Sequence, residues 1–476
     1  MSSSAAAGSS GPKAAEAGEL LFAGVTDWTG VGRTEKAKLT PDAKAEKDAT
    51  YPDLSLPTRL EAVKDIDFKI VASGSASAHA IAIDVDGQLY TWGRNENGQL
   101  GHGDLLQRNT PTVVEALKKH KIVKAAAGKQ HTVVVTEDGT SFAFGSNKNG
   151  QLGTGNLKSE QETSPVKCLV QDATDVACGA EFTVWLTKKG VWSCGLPQYG
   201  QLGDGSDHEY NAKASSVQLV YEPQPTPKAI AGLNGKKVVR VACGNNHTVV
   251  SDEEGSVYTW GFGAYGRLGH KTPKDEWKPR KVDFFSNRMA LPAGSLITAG
   301  GAFSGCTAVG GQLYMWGQIK PTGEAWMSPA PVHDLSGWNI RSMDCGSTSK
   351  IVSADDSCIS FGNATHGELG YGPKGPKSSA NAKKIDALNG FHVIKVAAGL
   401  AHTLFIVDRT VESEELEKLP VFQPTRDVEE GAAAEEGAKG KRKAPVGKGK
   451  AKAEPPAKKG KAAAAPAPAK KGRGKK

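Results

Sequence analysis

The sequence predicts an all-β fold, a seven-bladed β-propeller whose N-terminal and C-terminal strands pair in one blade. A ten-residue phrase ending in Gly-Gln-Leu-Gly returns along the chain at intervals of roughly 50 residues, a period typical of stacked β-units. A Gly-x-x-His-Thr motif followed by β-branched residues precedes copies of this phrase. Half a repeat stands near each end of the chain, which predicts that the ring closes there.

The phrase itself is Trp-Gly-Arg-Asn-Glu-Asn-Gly-Gln-Leu-Gly at residues 92–101 and Phe-Gly-Ser-Asn-Lys-Asn-Gly-Gln-Leu-Gly at residues 144–153. Its anchoring glycines are Gly93, Gly145, Gly195, Gly261, Gly317 and Gly362. The third copy has Cys194 in the aromatic place, and the fifth lacks the Gln-Leu-Gly ending. Each unit therefore predicts a strand, a turn, a second strand and a Gly-rich loop.

The seventh unit is divided between the two ends of the chain. Residues 399–406 supply a first half with the His-Thr motif, and residues 18–24 supply a second half. Pairing them in one blade closes the ring and hides the edges that an open sheet would expose. We therefore expect the propeller to span residues 18–408, after a disordered N-terminus at residues 1–17.

Two insertions interrupt the period, at residues 25–60 and at about residues 206–237. Long insertions in a repeat array lie in loops on one face, which is often the binding face. The second insertion contains Tyr210, an apolar stretch at residues 217–221 and a Pro-rich run.

Composition excludes several classes of protein. No run of about 18 apolar residues is present, so we expect no membrane partner. The Ser-, Ala- and Gly-rich start lacks the apolar core of a secretion signal, which predicts an intracellular protein with reduced cysteines. The seven cysteines form no C-x-x-C pair, so we expect small core residues, no metal site and no cofactor.

The C-terminal region divides by charge. Residues 409–438 are acidic and predict a short helix and a linker, whereas residues 439–476 predict a disordered basic tail. The tail holds 15 basic residues and one acid, a net charge of +14, so the chain's total of +8 leaves −6 for the remainder. Such a tail neutralises phosphates without reading base sequence.

The tail residues that we expect to bind nucleic acid or chromatin lie in short basic clusters. They are Lys439, Lys441, Arg442, Lys443, Lys458, Lys459, Lys461, Lys470, Lys471 and Arg473. Residues 439–443 also match a nuclear localisation signal. The alternatives are a solubilising tail and contact with acidic tubulin surfaces.

Other candidate motifs belong to the scaffold. The G-x-G-x-x-G pattern at residues 261–266 is one copy of the repeat phrase, without the βαβ unit that a dinucleotide site requires. His79, His131, His247 and His402 occur one to a unit in four units, and other units have residues such as Phe182 and Ser349 instead, which distributes the histidines around the ring. We expect them to hydrogen-bond to blade backbone rather than to act in catalysis or metal binding.

The tryptophans divide in the same way. Trp92, Trp260 and Trp316 occupy the aromatic position of the phrase and predict packing roles. Trp28 and Trp277 lie in predicted loops and are candidates for contact with a partner.

These repeats resemble the regulator-of-chromosome-condensation family of seven-bladed propellers over about residues 18–408. Residues 197–203 and 260–270 are similar to one branch, the regulator of chromosome condensation two proteins. The resemblance implies a cell-cycle protein in the nucleus, on chromosomes, centromeres and the mitotic spindle, and also in the cytoplasm. It further implies a small-GTPase regulator of the Rac and Ral type, acting as an exchange factor or as a binder of the nucleotide-free form.

Alternatives within this resemblance are Ran-type exchange and a non-catalytic scaffold that binds chromatin or microtubules. The family's plant UV-B photoreceptor carries a Gly-Trp-Arg-His-Thr motif, whose Trp and Arg are missing from the matching segments here, so light sensing is not expected.

Nucleotide exchange needs no catalytic nucleophile, and the sequence offers no catalytic set. An exchange factor binds the nucleotide-free GTPase more tightly than the nucleotide-bound form, for which an acidic side chain or a wedge loop suffices. We therefore select the second insertion, with Asp207, Glu209 and Glu222, as the candidate GTPase contact, the alternative being a loop without a function.

Overall fold

The computed structural model describes residues 16–32, 50–320 and 323–424 of the 476-residue chain. The predictions for residues 1–15 and for the basic tail lie outside the described residues. Strands are labelled β1–β31 and the one α-helix in the described part is α1. Within these ranges no helix has the length and apolar character needed to cross a membrane.

The strands form seven radial sheets, which we call blades one to seven, and a separate hairpin. Blade one is β3 (Phe68–Ala72), β4 (His79–Asp84), β5 (Leu89–Gly93) and β6 (Arg108–Val113). Blade two is β7 (Ile122–Ala127), β8 (His131–Thr136), β9 (Ser141–Ser146) and β10 (Gln161–Lys167). Blade three is β11 (Ala173–Cys178), β12 (Phe182–Thr187), β13 (Gly190–Gly195) and β16 (Gln224–Ala229). Blade four is β17 (Val238–Cys243), β18 (His247–Asp252), β19 (Val257–Gly261) and β20 (Glu276–Lys281).

The remaining blades complete the ring. Blade five is β21 (Ile297–Ala299), β22 (Phe303–Thr307), β23 (Leu313–Gly317) and β24 (Trp326–Pro331). Blade six is β25 (Ile340–Cys345), β26 (Ser349–Ala354), β27 (Ser357–Asn363) and β28 (Ser378–Lys384). Blade seven, in spatial order, is β29 (Val393–Ala398), β30 (His402–Val407), β1 (Glu19–Gly24), β2 (Leu54–Leu60) and β31 (Val421–Phe422). The hairpin is β14 (Glu209–Asn211) and β15 (Leu219–Tyr221), and α1 is Ser413–Glu417.

The ring is closed, which confirms the predicted fold. The first strand of every blade contacts the first strand of the next, from β3 and β7 around to β29 and β3. These seven inner strands surround a central channel. In blade seven β1 pairs antiparallel with β30 from Glu19 opposite Val407 to Gly24 opposite His402. The two half-repeats therefore meet as predicted.

The two predicted insertions are shorter than the sequence suggested. Residues 25–60 include β2 and residues 206–237 include β16, so both contain the outer strand of a blade. Each full unit thus has four strands rather than two. The outer strands carry prolines such as Pro57, Pro225 and Pro227, which an edge strand tolerates because its outward backbone needs no partner. Those prolines made the segments look like loops.

The chain beyond residue 408 adds to blade seven. The predicted acidic helix is present as α1, but β31 then pairs in parallel with β2. Leu416 and Phe422 are buried, 3% and 8% exposed, and anchor this otherwise acidic segment. Residues 425–438 of the predicted linker lie outside the described residues.

The repeat phrase joins each blade to its neighbour. Gly101, the last residue of the first phrase, has a φ of +77°, and a Cβ there would come within 2.9 Å of the Phe144 ring in blade two. Thr91 Oγ1 donates a hydrogen bond to the Leu100 carbonyl at 2.7 Å and holds the loop against its own blade. The glycine therefore allows the next blade's aromatic ring to pack on the loop.

The repeated histidines bond through Nε2 to hydroxyl groups of the next blade, partners that we did not expect. The Nε2 contacts are His79 to Thr132 (2.7 Å), His131 to Thr183 (3.0 Å), His247 to Ser304 (2.8 Å) and His402 to Ser73 (3.0 Å). Each hydroxyl donates its own proton to a carbonyl, so Nε2 must be the donor in these pairs.

Burial keeps these histidines neutral. It lowers the pKa of His79, His131 and His402 to about 3 and the pKa of His247 well below its usual value. These rings therefore stay uncharged near neutral pH, which fits a structural role.

Candidate partner-binding surface

The fold places the long loops on one side of the ring. In every blade the connection between the first and second strands emerges at the same end as the Gly-rich phrase after the third strand. We call this side the loop face. The short turns between second and third strands lie on the opposite side, the turn face. The hairpin of β14 and β15 interrupts the phrase connection of blade three, so it lies on the loop face.

A polar depression of about 570 Å³ lies on the loop face, which we call the mouth. Its walls come from the first connections of blades one, two, three, four and seven and from the phrases of blades one and three. The polar side chains of the walls are Arg94, Lys129, Gln130, Glu181, Gln198, Tyr199, Asn245 and Asn246. Since these residues come from separate blades, only the closed ring assembles them.

A hydrogen bond that crosses the ring closes the bottom of the mouth. Ser75 Oγ of blade one donates to Asn245 Oδ1 of blade four at 2.7 Å. Ser75 is 4% exposed and lies in the only first connection that has two extra residues between its glycine and its histidine. That longer connection spans the channel at this end.

The charges at the mouth are compensated within the surface. Lys129 Nζ lies 3.9 Å from Glu181 Oε1, and Asn149 Nδ2 donates to Glu181 Oε2 at 3.3 Å. Arg94 pairs with Glu96 and donates to the Val31 carbonyl. The mouth can accept or donate hydrogen bonds to a partner, but the described residues that line it place no nucleophile beside a base.

The hairpin projects from a well-defined root. His208 Nε2 lies 2.6 Å from Asp204 Oδ2, and the Glu222 amide donates to the His208 carbonyl at 3.0 Å. At the other end Asn211 Oδ1 accepts from the amides of Lys213 and Gln218 at 3.3 and 2.8 Å. The root and tip are therefore both ordered by polar bonds.

The tip of the hairpin is apolar and exposed. Val217, Leu219 and Tyr210 are 80%, 52% and 51% exposed, respectively. Tyr210 lies opposite Val220 and Leu219 lies opposite Asn211, so Tyr210 and Leu219 project from opposite faces of the hairpin. Isolated exposed apolar residues are ordinary, but a projecting hairpin that exposes Val217 and Leu219 near its tip, and Tyr210 on its other face, is suited to burial by a partner. The prediction of acidic contacts missed these side chains, although the strand-forming stretch at residues 217–221 signalled them.

The three predicted contact residues lie together near the root, not at the tip. Asp207 Oδ1 accepts from the Glu209 amide at 3.1 Å and thereby shapes a turn. Glu209 lies opposite Tyr221 in the hairpin; burial raises the pKa of Tyr221, and a hydrogen bond to Glu209 raises it further. Glu222 is exposed directly after β15. Their role in GTPase contact stays a prediction.

Aromatic residues of blades three and four continue the surface. The Tyr199 ring lies 4.4 Å from the Phe262 ring, and the buried Arg267 guanidinium lies 4.6 Å from Phe262 on a cation–π contact. Burial lowers the pKa of Arg267 to about 10, so it remains charged at neutral pH. Tyr265 and Trp277 are 51% and 45% exposed.

The prediction that Trp28 contacts a partner is wrong. Trp28 is 1% exposed, and its ring centre lies 6.0 Å from Phe22 and 5.0 Å from His402. The chain after β1 folds back over blade seven, so a residue assigned to a loop becomes part of the core. Trp277 remains a candidate because it is exposed on β20.

Comparison with known proteins places this propeller in a family. A family model described as the RCC1-like domain matches residues 5–321. The chain is 41% identical to human Protein RCC2 over 429 residues, which cover 86% of this chain and 80% of the human protein. It is also 41% identical to the RCC2 homolog of Danio rerio over 423 residues, covering 86% of this chain and 84% of that protein.

Solved structures agree on the fold. Human WBSCR16 superimposes with a TM-score of 0.65 at 19% identity, covering 82% of this chain and 99% of that one. Prp20p from Saccharomyces cerevisiae superimposes with a TM-score of 0.63 at 19% identity, covering 85% of this chain and 94% of that one. The family match over more than half of the chain and the identity to the RCC2 proteins show that this chain belongs to the regulator-of-chromosome-condensation family, in its RCC2 branch.

Proposed function

We propose that this protein binds a small GTPase of the Rac or Ral type through its loop face, and chromatin through its basic tail. The observation that carries the first part is the exposed apolar tip of the hairpin beside the polar mouth. The structural neighbour Prp20p has binding properties to Gsp1p and histones, which supports testing a GTPase and chromatin as partners here. Ran-type exchange is the alternative for the GTPase.

The proposed mechanism is differential binding. The ordered root holds the hairpin in place, so that Val217 and Leu219 near the tip can insert into a GTPase without a large ordering cost. Asp207, Glu209 and Glu222 at the root then face the nucleotide site, where carboxylates repel phosphates and compete for Mg²⁺. A GTPase held this way binds its nucleotide less tightly, because the two binding equilibria are linked.

The test measures GDP release from purified Rac-, Ral- and Ran-type GTPases. We expect the intact protein to accelerate release, or to form a stable complex with the nucleotide-free form, for at least one of them. The double variant Val217→Asp/Leu219→Asp should weaken this effect at least tenfold, because it places charge on the surface that the partner buries. Both side chains are solvent-exposed, so the fold should be unaffected.

The matched control is Val85→Asp, which changes a valine that is 49% exposed on the turn face. It should leave GDP release and complex formation unchanged. An equal effect of this control would refute the assignment to the hairpin. If none of the three GTPases responds to the intact protein, in either nucleotide state, the GTPase proposal fails.

A second candidate function is a non-catalytic scaffold that binds chromatin or microtubules. One observation favours it: the carboxylates at the mouth are already paired, Glu181 with Lys129 and Asn149, and Glu96 with Arg94. A scaffold predicts partner complexes that ignore nucleotide state, and hairpin variants that leave GDP release unchanged while they weaken the complex.

The second part of the proposal concerns the basic tail and nuclear localisation. Deleting residues 439–476 should abolish sequence-independent DNA binding at low salt and weaken nuclear retention, because it removes 15 cationic side chains. Gel-shift titration over a salt series, with imaging of the tagged protein, checks both. DNA binding by residues 16–424 that equals that of the full chain would contradict this part.

A further inference from the structure

The inner strands bring basic side chains to one level of the central channel. Lys124 on β7, Arg240 on β17 and Lys395 on β29 all stand four residues before the glycine that begins the loop-face connection. Each occupies the same register, directly after the bulge that opens its strand pair. Asp175 on β11 holds the equivalent position in blade three. Residues in the same register on adjacent inner strands form one ring, which we call the channel ring.

The side chains of the channel ring point toward one another. Lys124 Nζ lies 3.4 Å from Asp175 Oδ2, across the boundary between blades two and three. Burial lowers the pKa of Lys395, and the charges of Arg240 and Lys124, on blades four and two, lower it further. Neither blade two nor blade four adjoins blade seven, so these charges meet through the channel.

The channel ring has more positive than negative charge. Its other three positions are Ile70, Leu296 and Ser342, which carry no charge. Asp175 is thus the single carboxylate opposing three cations, and it pairs with Lys124. Arg240 makes one long hydrogen bond, from Nη2 to the Gly294 carbonyl at 3.5 Å. Within the described residues, Arg240 and Lys395 have no carboxylate at ion-pair distance.

A second carboxylate, Asp344, stands two residues nearer the loop face than the channel ring and offsets only part of its positive charge. Asp344 Oδ2 accepts a hydrogen bond from the Ala398 amide at 2.9 Å. Burial raises the pKa of Asp344 to about 6, so this carboxyl is still largely ionised at pH 7, and the three cations outnumber the two carboxylates. Most of the other inner strands have an alanine at this position. These alanines are Ala72, Ala126, Ala177, Ala242 and Ala397.

The channel opens to solvent from the turn face. Lys124 and Lys395 are exposed, whereas the Ser75–Asn245 hydrogen bond crosses the channel at the loop-face end. A polypeptide threaded through the ring would have to break that bond. A small anion that enters from the turn face meets the three cations before it reaches the bond.

We propose that the channel ring binds a compact anion with several phosphate groups, which enters from the turn face. The low-dielectric walls focus the field of the three cations into a narrow space. The Arg240 guanidinium offers a planar fork suited to phosphate oxygens, and the two lysines add mobile point charges. One phosphate cluster can contact all three only if it lies on the channel axis, which explains the preference for a compact ligand.

The experiment titrates the full-length protein with tripolyphosphate and follows both heat release and hydrogen exchange resolved by peptide. We expect protection of β17 and β29 on binding. Arg240→Met and Lys395→Met should each weaken this binding at least tenfold. Asp175→Asn should strengthen it several-fold, because it frees Lys124. The control is Lys69→Met, on the inner strand β3 but outside the channel ring, which should leave affinity unchanged.

Because hydrogen exchange is resolved by peptide, it distinguishes binding at the channel ring from binding at the basic tail, which also attracts phosphates. Protection confined to the tail, with an affinity that Arg240→Met does not alter, would overturn the proposal. If Lys69→Met weakened tripolyphosphate binding as much as Lys395→Met does, the ligand would be attracted by the general positive charge and not bound at the channel ring, which would overturn the proposal. Citrate that binds the channel as tightly as tripolyphosphate would overturn the assignment to phosphates.

Discussion

Replacing Glu19 by alanine should lower the free energy of unfolding by about 3–5 kcal/mol, the usual cost of removing one partner of a buried ion pair. Glu19 is completely buried in β1. Its carboxylate accepts from Arg59 at 2.7 and 3.2 Å and from Arg409 Nη1 at 3.0 Å. Without it, Arg59 loses its buried carboxylate, and Arg409 keeps only Asp67, whose Oδ1 lies 2.6 Å from Arg409 Nε. Urea unfolding followed by tryptophan fluorescence measures the loss.

This ion triad has a large expected effect because it joins three separate parts of the chain at the point of ring closure. Glu19 lies on β1, Arg59 on β2 and Arg409 in the segment leading to α1. Glu61→Ala is the matched control, since its pair with Lys64 is more than one-third exposed and screened by solvent, so its loss should have a much smaller effect. Equal losses for the two variants would mean that the triad does not stabilise closure.

Replacing Trp28 by alanine should cost about 3–5 kcal/mol, as large-to-small changes of buried aromatic residues do. The ring is 1% exposed and fills the space between Phe22 and His402. The cavity left behind would remove contacts from the strand pair that closes the ring. Thermal or urea unfolding of the variant gives the change directly.

Trp277→Ala provides the contrast, because this side chain is 45% exposed on an outer strand. Its loss should cost no more than about 1 kcal/mol, and any larger effect should appear in partner binding. A Trp28 variant of normal stability that fails to bind a partner would restore the interpretation of Trp28 as a contact residue.

The fold was predictable because the residues of the repeat phrase satisfy conformational requirements that are local to each unit. Residue 101 has a positive φ and lies against the Phe144 ring, and only glycine satisfies both conditions. A glycine at this place therefore identifies every well-formed unit. The outer strands β16 and β28 were not predictable in this way. Most of their side chains are exposed or half-buried, so they show no alternation of apolar and polar residues.

The sequence predicted where the candidate surface lies but not which side chains form it. The irregular spacing around residues 206–237 located the hairpin, but the acidic residues predicted as contacts lie at its root, whereas the exposed apolar surface lies at its tip. The histidines show the same limit, since their spacing, at most one to a unit, excluded a shared site. It did not reveal that a hydroxyl of the next blade, such as Thr132 for His79, would be the partner.

The sequence by itself determined the repeat, the number of blades and the strand pair that closes the ring. These follow from glycines, β-branched runs and aromatic anchors whose demands are local to each unit. Only the tertiary structure decided what meets across the ring: Ser75 with Asn245, Arg409 with Glu19, and the three cations of the channel ring. The first two of these contacts join positions 170 and 390 residues apart, and their geometry exists only after the ring has closed.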